Sequence, residues 1–392
     1  MGLKKSLIAL AIGGFGIGMT EFVMMGILPD IAKSFQVTIP EAGHLISAYA
    51  LGVVVGAPIL VAIAGQYPPK KLLTYLMILF TIFNGLSIIA PSHTFMLFTR
   101  FLSGLPHGAF FGVGAVVAGK LANPGKEAAA VAIMFSGLTF ANILGIPLGT
   151  YVGHNISWRY SFVLVAIVGC IAIAAIIFWM PNLKPNKDGN LKKDLAVFTK
   201  LEPWLALLIT AIGTGGFFAW FSYIAPLLTD VSGFAENSVT FILVLTGVGM
   251  TFGNILGGKL ADKFSPVMAS LILLLVMVFC LLLISFIAEN KILILIMCFI
   301  TGGIAFSVVT PIQMIMIKAS KGAEMLASSS MQAGFNVGNA LGAYFGGLPI
   351  AMGYGYTSPQ IVGAAMATIG AMFCVSIMVN RKMLAKRTSQ AF

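Results

Sequence analysis

Two ionisable residues lie well inside long apolar segments of this chain. The 392 residues include 23 Lys or Arg and 12 Asp or Glu, and of these only Glu21 and Arg100 are far from a segment end. Placing an ionised side chain in hydrocarbon costs about 2.5 to 3.5 kcal/mol even on a lenient insertion scale. Because that cost disfavours charges without a purpose, the pattern predicts a working site at these two residues.

Counting along oppositely directed segments places Glu21 and Arg100 at a similar depth. An ion pair between them would relieve the desolvation of each charge, and protonation of Glu21 would leave Arg100 unpaired, which describes a proton switch. A static bridge that only fixes two helices remains the alternative. His107 lies on nearly the same helix face as Arg100, and an imidazole, with a pKa near 6.5 in water, suits reversible protonation. A plain hydrogen bond at a helix interface is its alternative role.

Polar side chains on otherwise apolar segments indicate a candidate cavity, because each must find a partner in protein, water or solute. Gln332, Asn336 and Asn339 follow i, i+4, i+7 spacing and therefore share one helix face. Together with Asn142 and Tyr49 they offer amide and hydroxyl groups to a polar, uncharged solute. Interhelical hydrogen bonding without solute contact is the alternative for each.

Aromatic residues are dense between Phe217 and Tyr223. Trp220 and Tyr223 of this stretch can stack on a sugar ring or an aromatic drug. Packing between helices or contact with lipid would use the same rings. We include both residues among the candidates for substrate binding.

The elements that carry these residues are predicted to cross a membrane. The chain is 59% hydrophobic, 9% charged and has a mean hydropathy of +1.00, which is far from soluble domains. Each apolar run has about the 20 residues that a helix needs to cross hydrocarbon. Such runs begin near Ser6, Glu41, Leu72, Thr94, Ala128, Tyr160, Leu201, Ser238, Pro266, Ile292, Gly322 and Thr357. We expect an all-α integral membrane protein with twelve transmembrane helices, which we number as the first to the twelfth span.

Positive charges predict the orientation of the spans. Nineteen Lys and Arg residues fall on the side of the first residue, whereas three, Lys33, Arg159 and Lys291, fall on the other. Cytoplasmic loops carry such an excess, so we expect both termini in the cytoplasm. This arrangement accounts for the net charge of +11 without a nucleic-acid partner.

The polar stretch at 181–200 divides the spans into six and six. The fifth and eleventh spans carry similar segments, Asn142-Ile-Leu-Gly145 and Asn339-Ala-Leu-Gly342. We therefore expect a six-helix bundle at 1–180, a cytoplasmic linker at 181–200 and a second six-helix bundle at 201–392. Parallel repeats of this kind are typical of transporters with a substrate site between the halves.

The chain contains no complete enzyme motif. Gly114 to Lys120 fits most of a phosphate-binding loop, but Leu121 stands where a magnesium-binding Ser or Thr is needed, and no strand precedes it. The cysteines lack the paired spacing of metal sites. We predict no enzyme activity, no cofactor and no metal.

Three segments resemble the major facilitator superfamily, in its drug/proton antiporter branch and specifically the AraJ-type arabinose and sugar efflux permeases. They are Gly18-Met-Thr-Glu21-Phe, the second-span segment from Ala42 to Pro58, and Arg100-Phe-Leu-Ser-Gly104-Leu-Pro-His107-Gly. Gly258-Lys-Leu-Ala-Asp262-Lys263 resembles the short charged loop motif of the same family. The likeness covers nearly the whole chain.

This resemblance implies two pseudo-symmetric bundles, a proton gradient as energy source, a coupling role for Arg100 and gating by Asp262 and Lys263. Together with Glu21 and His107 as proton-binding residues, it implies export of a small solute, such as arabinose, another sugar or a drug. The solute would leave the cell against inward proton flow, and the implied location is a bacterial inner membrane. The expected partners are that solute, protons and membrane lipids, and we expect a monomer.

Two alternatives remain open. Exporters of this branch have adjacent Gly and Pro in the fifth span, whereas here Ile146 separates Gly145 from Pro147. A proton-driven importer or a uniporter of a sugar or nucleoside on the same fold is therefore the first alternative. A membrane sensor that transports nothing is the second.

Overall fold

Long helices dominate the computed structural model, which describes residues 2–64, 67–124, 127–184, 196–320 and 323–390, with the side chains at 2–4, 58, 61–64, 127–129, 262, 324–325, 328 and 384–390 excepted. No β-strand occurs in the described part of the chain. The first four spans are the helices Gly2–Phe35, Ile39–Ala64, Pro69–Ile88 and His93–Leu121. The fifth span joins Glu127–Phe140 to Ile146–Asn155 through a π-helical turn at Ala141–Gly145. Trp158–Trp179 is the sixth.

The second six spans follow a short 3₁₀ turn at Ala196–Thr199. The seventh is broken into Leu201–Leu208, a π turn at Ile209–Gly213, Gly215–Phe221, Ile224–Pro226 and a π turn at Leu227–Val231. The eighth to twelfth are Glu236–Lys263, Pro266–Ile287, Lys291–Ala319, Glu324–Ala351 and Pro359–Gln390. The sequence-based expectation of twelve long helical segments is confirmed. Most of the predicted linker, at 185–195, lies outside the described residues.

Eleven of the helices in the described part are long and apolar enough to cross a membrane. The exception is the eleventh span, Glu324–Ala351, which is a helix of 28 residues. Its apolar character is diluted by Gln332, Asn336 and Asn339, the residues that mark it as a candidate wall of the site. A simple hydropathy criterion therefore misses a helix that carries three amides in its middle.

Polar caps determine where several spans begin. At the start of the second span the backbone N–H of Thr38 donates to the Glu41 carboxylate at 2.7 Å, while the Thr38 hydroxyl accepts from the Glu41 N–H at 3.3 Å. The side chains of Ser92 and Asn290 accept backbone N–H groups at the starts of the fourth and tenth spans. Such caps satisfy donors that a helix start leaves without partners.

Packing follows the six-plus-six repeat. The second span packs on the fourth, the third on the sixth and the first on the fifth. In the second half the eighth packs on the tenth, the ninth on the twelfth and the seventh on the eleventh. The halves meet where the second span contacts the eleventh and the fifth contacts the eighth. The twelve helices form two pseudo-symmetric bundles.

Glycines bring the second and fourth spans together. A Cβ atom on Gly104 would collide with the backbone carbonyl of Tyr49, and one on Gly108 would press on Ala57. Small residues allow such close helix approach in membranes. Since Arg100 lies one turn before Gly104 and His107 lies between Gly104 and Gly108, the contact positions both side chains against Tyr49.

Candidate functional site

A cavity of about 620 Å³ lies between the two bundles. Its walls come from the first, fourth and fifth spans on one side and the seventh to eleventh on the other. We call the membrane side on which the first span begins and the twelfth ends the termini side. The lining residues lie at mid-span and in the halves nearer this side, such as Val131, Gln313 and Gln332. The volume is within the range of cavities that hold drug-sized ligands.

Aromatic rings close the other side, which we call the sealed side. Phe22 of the first span stacks on Phe218 of the seventh, with centroids 6.2 Å apart and planes 4° from parallel. Phe221 packs edge-to-face against the Phe22 ring, with centroids 6.3 Å apart. Because Phe22 and Phe218 also line the cavity, their stack is its floor.

The second and eleventh spans also close the sealed side, and we call all the contacts between the bundles on this side the seal. The Ser47 hydroxyl donates to the Ala340 carbonyl at 3.0 Å, and the rings of His44 and Tyr344 stack at 6.0 Å. Both contacts join one bundle to the other. Among the described residues these contacts close the cavity towards the sealed side, and the lining extends towards the termini side.

Glu21 and His107 line the cavity. Their residues are 6% and 1% exposed, respectively. Glu21 lies close enough to Asn339 of the eleventh span, and to the Arg100 charge, for both to act on its carboxylate. Among the cavity-lining residues that the structure describes, Glu21 and His107 are the only two that carry a carboxyl or an imidazole group.

Arg100 lies behind the cavity wall, inside the first bundle, and is completely buried. Its Nη1 donates to the Thr20 hydroxyl at 3.0 Å, and that hydroxyl donates in turn to Oδ1 of Asn84 at 2.6 Å. The guanidinium also sits over the Tyr49 ring, 4.3 Å from its centroid. Within the described residues Nε and Nη2 have no hydrogen-bond partner. The guanidinium thus keeps two donors available for another acceptor.

No ion pair joins Glu21 to Arg100, although both residues are described by the structure. Adjacent residues of a helix point about 100° apart. Thr20 therefore faces Arg100 inside the bundle, while Glu21 faces the cavity. The two residues therefore lie near each other but face different surroundings in this conformation.

Tyr49 links Arg100 to His107. Its hydroxyl shares a hydrogen bond of 3.1 Å with Nδ1 of His107, while its ring supports the Arg100 guanidinium. The His107 ring meets the edge of Phe111 at 5.4 Å. Tyr49 does not line the cavity, so the structure places it as a support for two candidate residues.

The eleventh span divides its amides between cavity and bundle interior. Gln332 and Asn336 line the cavity. Nδ2 of Asn336 donates to the backbone carbonyl of Gln332 at 3.1 Å, and its Oδ1 has no partner among the described residues. Asn339 is completely buried one turn further on, near Glu21 and outside the cavity lining, and its amide has no hydrogen-bond partner among the described residues.

Asn142 is buried at the π turn of the fifth span and does not line the cavity. A Cβ on Gly247 of the eighth span would collide with the Asn142 carbonyl, so the two bundles touch here. Its side-chain Oδ1 has no partner within the described part of the chain. The structure thus places Asn142 at a contact between bundles.

Trp220 and Tyr223 lie in the seal, outside the cavity, and both are buried. The Tyr223 hydroxyl donates to the Ala343 carbonyl at 2.6 Å, and glycines at 43 and 347 leave room for it. The aromatic stretch runs along the span, so only its first part, Phe217 and Phe218, reaches the cavity. Sequence alone gives no depth at which such a stretch passes from cavity to seal.

Several lining residues were not expected from the sequence. The eighth and tenth spans contribute Asn254, Thr310 and Gln313, and the Thr310 hydroxyl donates to Oδ1 of Asn254 at 3.3 Å. Thr310 and Gln313 follow i, i+3 spacing in a very apolar helix, which is the signal that could have found them.

Two further features concern charged residues near span ends. Asp30 and His154, at the sealed-side ends of the first and fifth spans, approach to 2.6 Å between Oδ2 and Nδ1. Lys263 lies at the end of the eighth span, with its Nζ 5.6 Å from the centroid of the Phe264 ring. The side chain of Asp262 lies outside the described residues, so gating by Asp262 and Lys263 stays a prediction.

Comparisons with known proteins agree on one family. The family description "Major Facilitator Superfamily" matches residues 10–327. The "Putative transporter AraJ" of Escherichia coli (strain K12) is 41% identical over 365 residues, covering 93% of each chain. The "Inner membrane transport protein YdhP" of Escherichia coli (strain K12) is 44% identical over 367 residues, covering 94% of each chain.

Solved structures support the same fold. A bacterial homologue of the human lysosomal transporter Spinster, in an inward-facing and unoccupied conformation, superposes with a TM-score of 0.74 at 15% identity, covering 95% of this chain and 96% of that one. Its inward-facing and occupied form gives a TM-score of 0.73 at 16% identity, with coverage of 94% and 95%.

Proposed function

The chain belongs to the major facilitator superfamily and is a membrane transporter, and from that premise we propose that it is a proton-coupled exporter of a small solute. The observation that carries the proposal is the position of Glu21. Its carboxyl group lines the central cavity, while the residue before it binds Arg100. A proton-binding group is thus placed where solute must pass and beside a buried cation.

Two donor atoms of Arg100 that have no partner among the described residues offer the Glu21 carboxylate a second position. When Glu21 is ionised, Nε and Nη2 of Arg100 attract the carboxylate into the first bundle, because a charged hydrogen bond is stronger in a dry interior. When Glu21 binds a proton, that attraction is lost and the neutral carboxyl group returns to the cavity wall. Protonation thereby changes the shape and polarity of the wall that the solute meets.

Coupling follows from competition at this wall. With the cavity open on the termini side, loss of the proton moves Glu21 towards Arg100 and frees the wall for solute. After the bundles rock to open the sealed side, protonation returns the neutral side chain to the wall and displaces the solute. His107, bonded to Tyr49, assists by accepting or passing a proton at the same wall. The proton gradient is the energy source, and no further cofactor is required.

The proposed location is a bacterial inner membrane with both termini in the cytoplasm. The excess of Lys and Arg on the termini side supports this orientation. Under it the cavity opens to the cytoplasm, as an exporter needs when it loads solute. We propose a monomer embedded in lipid.

The proposed solute is arabinose, another sugar or a drug-like compound. Amides at Gln332 and Asn336 support hydrogen bonding to a neutral group, and Phe217 and Phe218 offer an apolar surface. The large cavity disfavours the alternative of a sensor that transports nothing. A proton-driven importer or uniporter would use the same residues and is separated by direction alone.

The test is the direction of flux under an imposed proton gradient. Purified protein is reconstituted into liposomes, and the liposomes are loaded with a labelled sugar or drug. The lumen is then made either more acidic or more alkaline than the outside. Export by antiport predicts that solute moves towards the acidic compartment, opposite to the protons. Movement with the protons would show an importer, and equal flux under both gradients would show a uniporter.

A further inference from the structure

We infer that Asn254, Thr310 and Gln313 form a subsite that binds the hydroxyl groups of a neutral solute whose other end is apolar, such as an aryl glycoside. This inference rests on the proposed function, since it names the class of solute that the exporter carries. We call the three residues the hydroxyl subsite.

Helix packing builds the hydroxyl subsite. The Ser307 hydroxyl of the tenth span donates to the Gly253 carbonyl of the eighth at 2.8 Å, which fixes the two spans in register. Asn254 follows Gly253 directly, and Thr310 follows Ser307 by three residues, so that the Thr310 hydroxyl donates to Oδ1 of Asn254 at 3.3 Å. Gln313 follows Thr310 by three residues and so lies on the same helix face. All three residues line the cavity.

The chemistry of these side chains selects hydroxyl groups. Amides and hydroxyls each carry donors and acceptors but no charge, and a solute hydroxyl has the same dual character. The Thr310–Asn254 bond occupies one donor and one acceptor, which leaves the Asn254 N–H groups, the Thr310 lone pairs and the Gln313 amide for solute. Within the described lining no Lys or Arg is present to bind an acid.

A further hydrogen-bond acceptor in the cavity lining lies on the eleventh span. Oδ1 of Asn336 has no partner among the described residues, although Asn336 is only 2% exposed and lines the cavity. Leaving a buried acceptor unpaired is unfavourable. A solute N–H or O–H donor satisfies it, which extends the hydroxyl subsite towards the floor.

Aromatic rings define the other end of the solute. Phe217 and Phe218 line the deep end of the cavity, where Phe218 stacks on Phe22. Phe306 and Phe335 also line the walls. A flat apolar group therefore lies against the floor while hydroxyl groups reach the hydroxyl subsite. A solute with both parts fills the 620 Å³ cavity better than a free pentose.

The experiment compares three probes on the full-length protein in liposomes. They are p-nitrophenyl α-L-arabinopyranoside, free L-arabinose and tetraphenylphosphonium, an aromatic cation without hydroxyl groups. We expect the aryl arabinoside to be transported with the lowest KM of the three. Loss of one hydrogen bond to solute weakens binding roughly five- to tenfold. Thr310→Val and Gln313→Leu should raise KM for the aryl arabinoside by that factor and leave kcat nearly unchanged.

The matched control is Thr251→Val, because the Thr251 hydroxyl bonds to the Gly247 carbonyl of its own helix at 3.0 Å and is not part of the cavity lining. Thermal unfolding of each variant verifies folding. Gln313→Leu removes no side-chain hydrogen bond found among the described residues, so it remains informative if Thr310→Val is unstable.

Equal KM values in Thr310→Val, Gln313→Leu and the control would overturn the hydroxyl subsite. Gradient-driven flux of the cation alone would also overturn it, while proton-coupled export would stand. A third outcome is aryl arabinoside flux that falls in both variants but does not depend on the proton gradient. It would support the hydroxyl subsite and contradict the proposed coupling. Failure to bind or carry any probe would overturn the subsite.

Discussion

Arg100 donates a hydrogen bond of 3.0 Å to the hydroxyl of Thr20, the residue that precedes Glu21. The buried Arg100 guanidinium is thereby bound to the residue next to Glu21, without a direct ion pair to the Glu21 carboxyl group. The Thr20 hydroxyl passes the interaction on to Asn84 at 2.6 Å, so three spans of the first bundle converge on this point. This arrangement stabilises Arg100 while its remaining donors stay available to Glu21.

Thr20→Val should destabilise the first bundle. The substitution keeps the shape of the side chain but removes the acceptor of Arg100 and the donor to Asn84. Hydrogen bonds to charged groups contribute about 1.5 to 3 kcal/mol, and thermal unfolding in detergent should shift by a corresponding amount. Thr74→Val is the control, because among the described residues the Thr74 hydroxyl donates only to the Lys70 carbonyl of its own helix, at 2.9 Å. An equal shift in both variants would contradict the role assigned to Thr20.

Tyr49→Phe should alter the pH profile of transport. It removes the hydroxyl that shares a 3.1 Å hydrogen bond with His107 and keeps the ring beneath Arg100. Without that hydroxyl the imidazole loses its fixed orientation and tautomer. We expect the pH at half-maximal flux to move while protein yield and unfolding temperature stay close to wild type. Tyr75→Phe, on an exposed ring of the third span, should leave the profile in place; an unchanged profile in both would limit Tyr49 to packing.

Tyr223→Phe should loosen the sealed side. Its hydroxyl bonds to the Ala343 carbonyl at 2.6 Å, and the loss of about 1 kcal/mol shifts a two-state equilibrium about fivefold. The readout is labelling of Gln332→Cys by an impermeant maleimide applied from the sealed side, after replacement of the four native cysteines. Tyr354→Phe, on an exposed ring, is the control. Equal labelling rates in the two variants would remove Tyr223 from the seal.

Gly104→Ala should separate the second and fourth spans. Its new methyl group would collide with the Tyr49 carbonyl, whereas Gly85→Ala meets nothing within 4 Å. Gly85→Ala should gain up to about 1 kcal/mol from helix propensity. We expect the unfolding temperature to fall for Gly104→Ala and to hold or rise for Gly85→Ala. The same response in both would contradict glycine-mediated packing at this contact.

Sequence pattern predicts the spans well because hydrocarbon imposes length and composition on each helix separately. The same constraint singled out Glu21, whose charge has few explanations in an apolar helix, and the structure places Glu21 in the cavity wall. Gln332 and Asn336 also reach the cavity, since their shared face is a local property of one helix.

Sequence pattern fails where the answer depends on how helices are rotated and tilted against each other. Trp220 and Tyr223 lie in the seal, and Thr20 rather than Glu21 meets Arg100. Asp30 and His154 form a pair between residues 124 positions apart that no local pattern connects. Asn254 and Thr310 likewise become a unit only when the eighth and tenth spans pack.

The most direct test of the account compares wild type with Glu21→Gln in liposomes under two kinds of driving force. One is an imposed proton gradient, and the other is counterflow, in which labelled solute exchanges for unlabelled solute at uniform pH. Glutamine keeps the size of the side chain but cannot bind or release the proton. The account predicts that Glu21→Gln loses gradient-driven flux while it retains counterflow. Gradient-driven flux at the wild-type rate in Glu21→Gln would contradict Glu21 as the proton carrier.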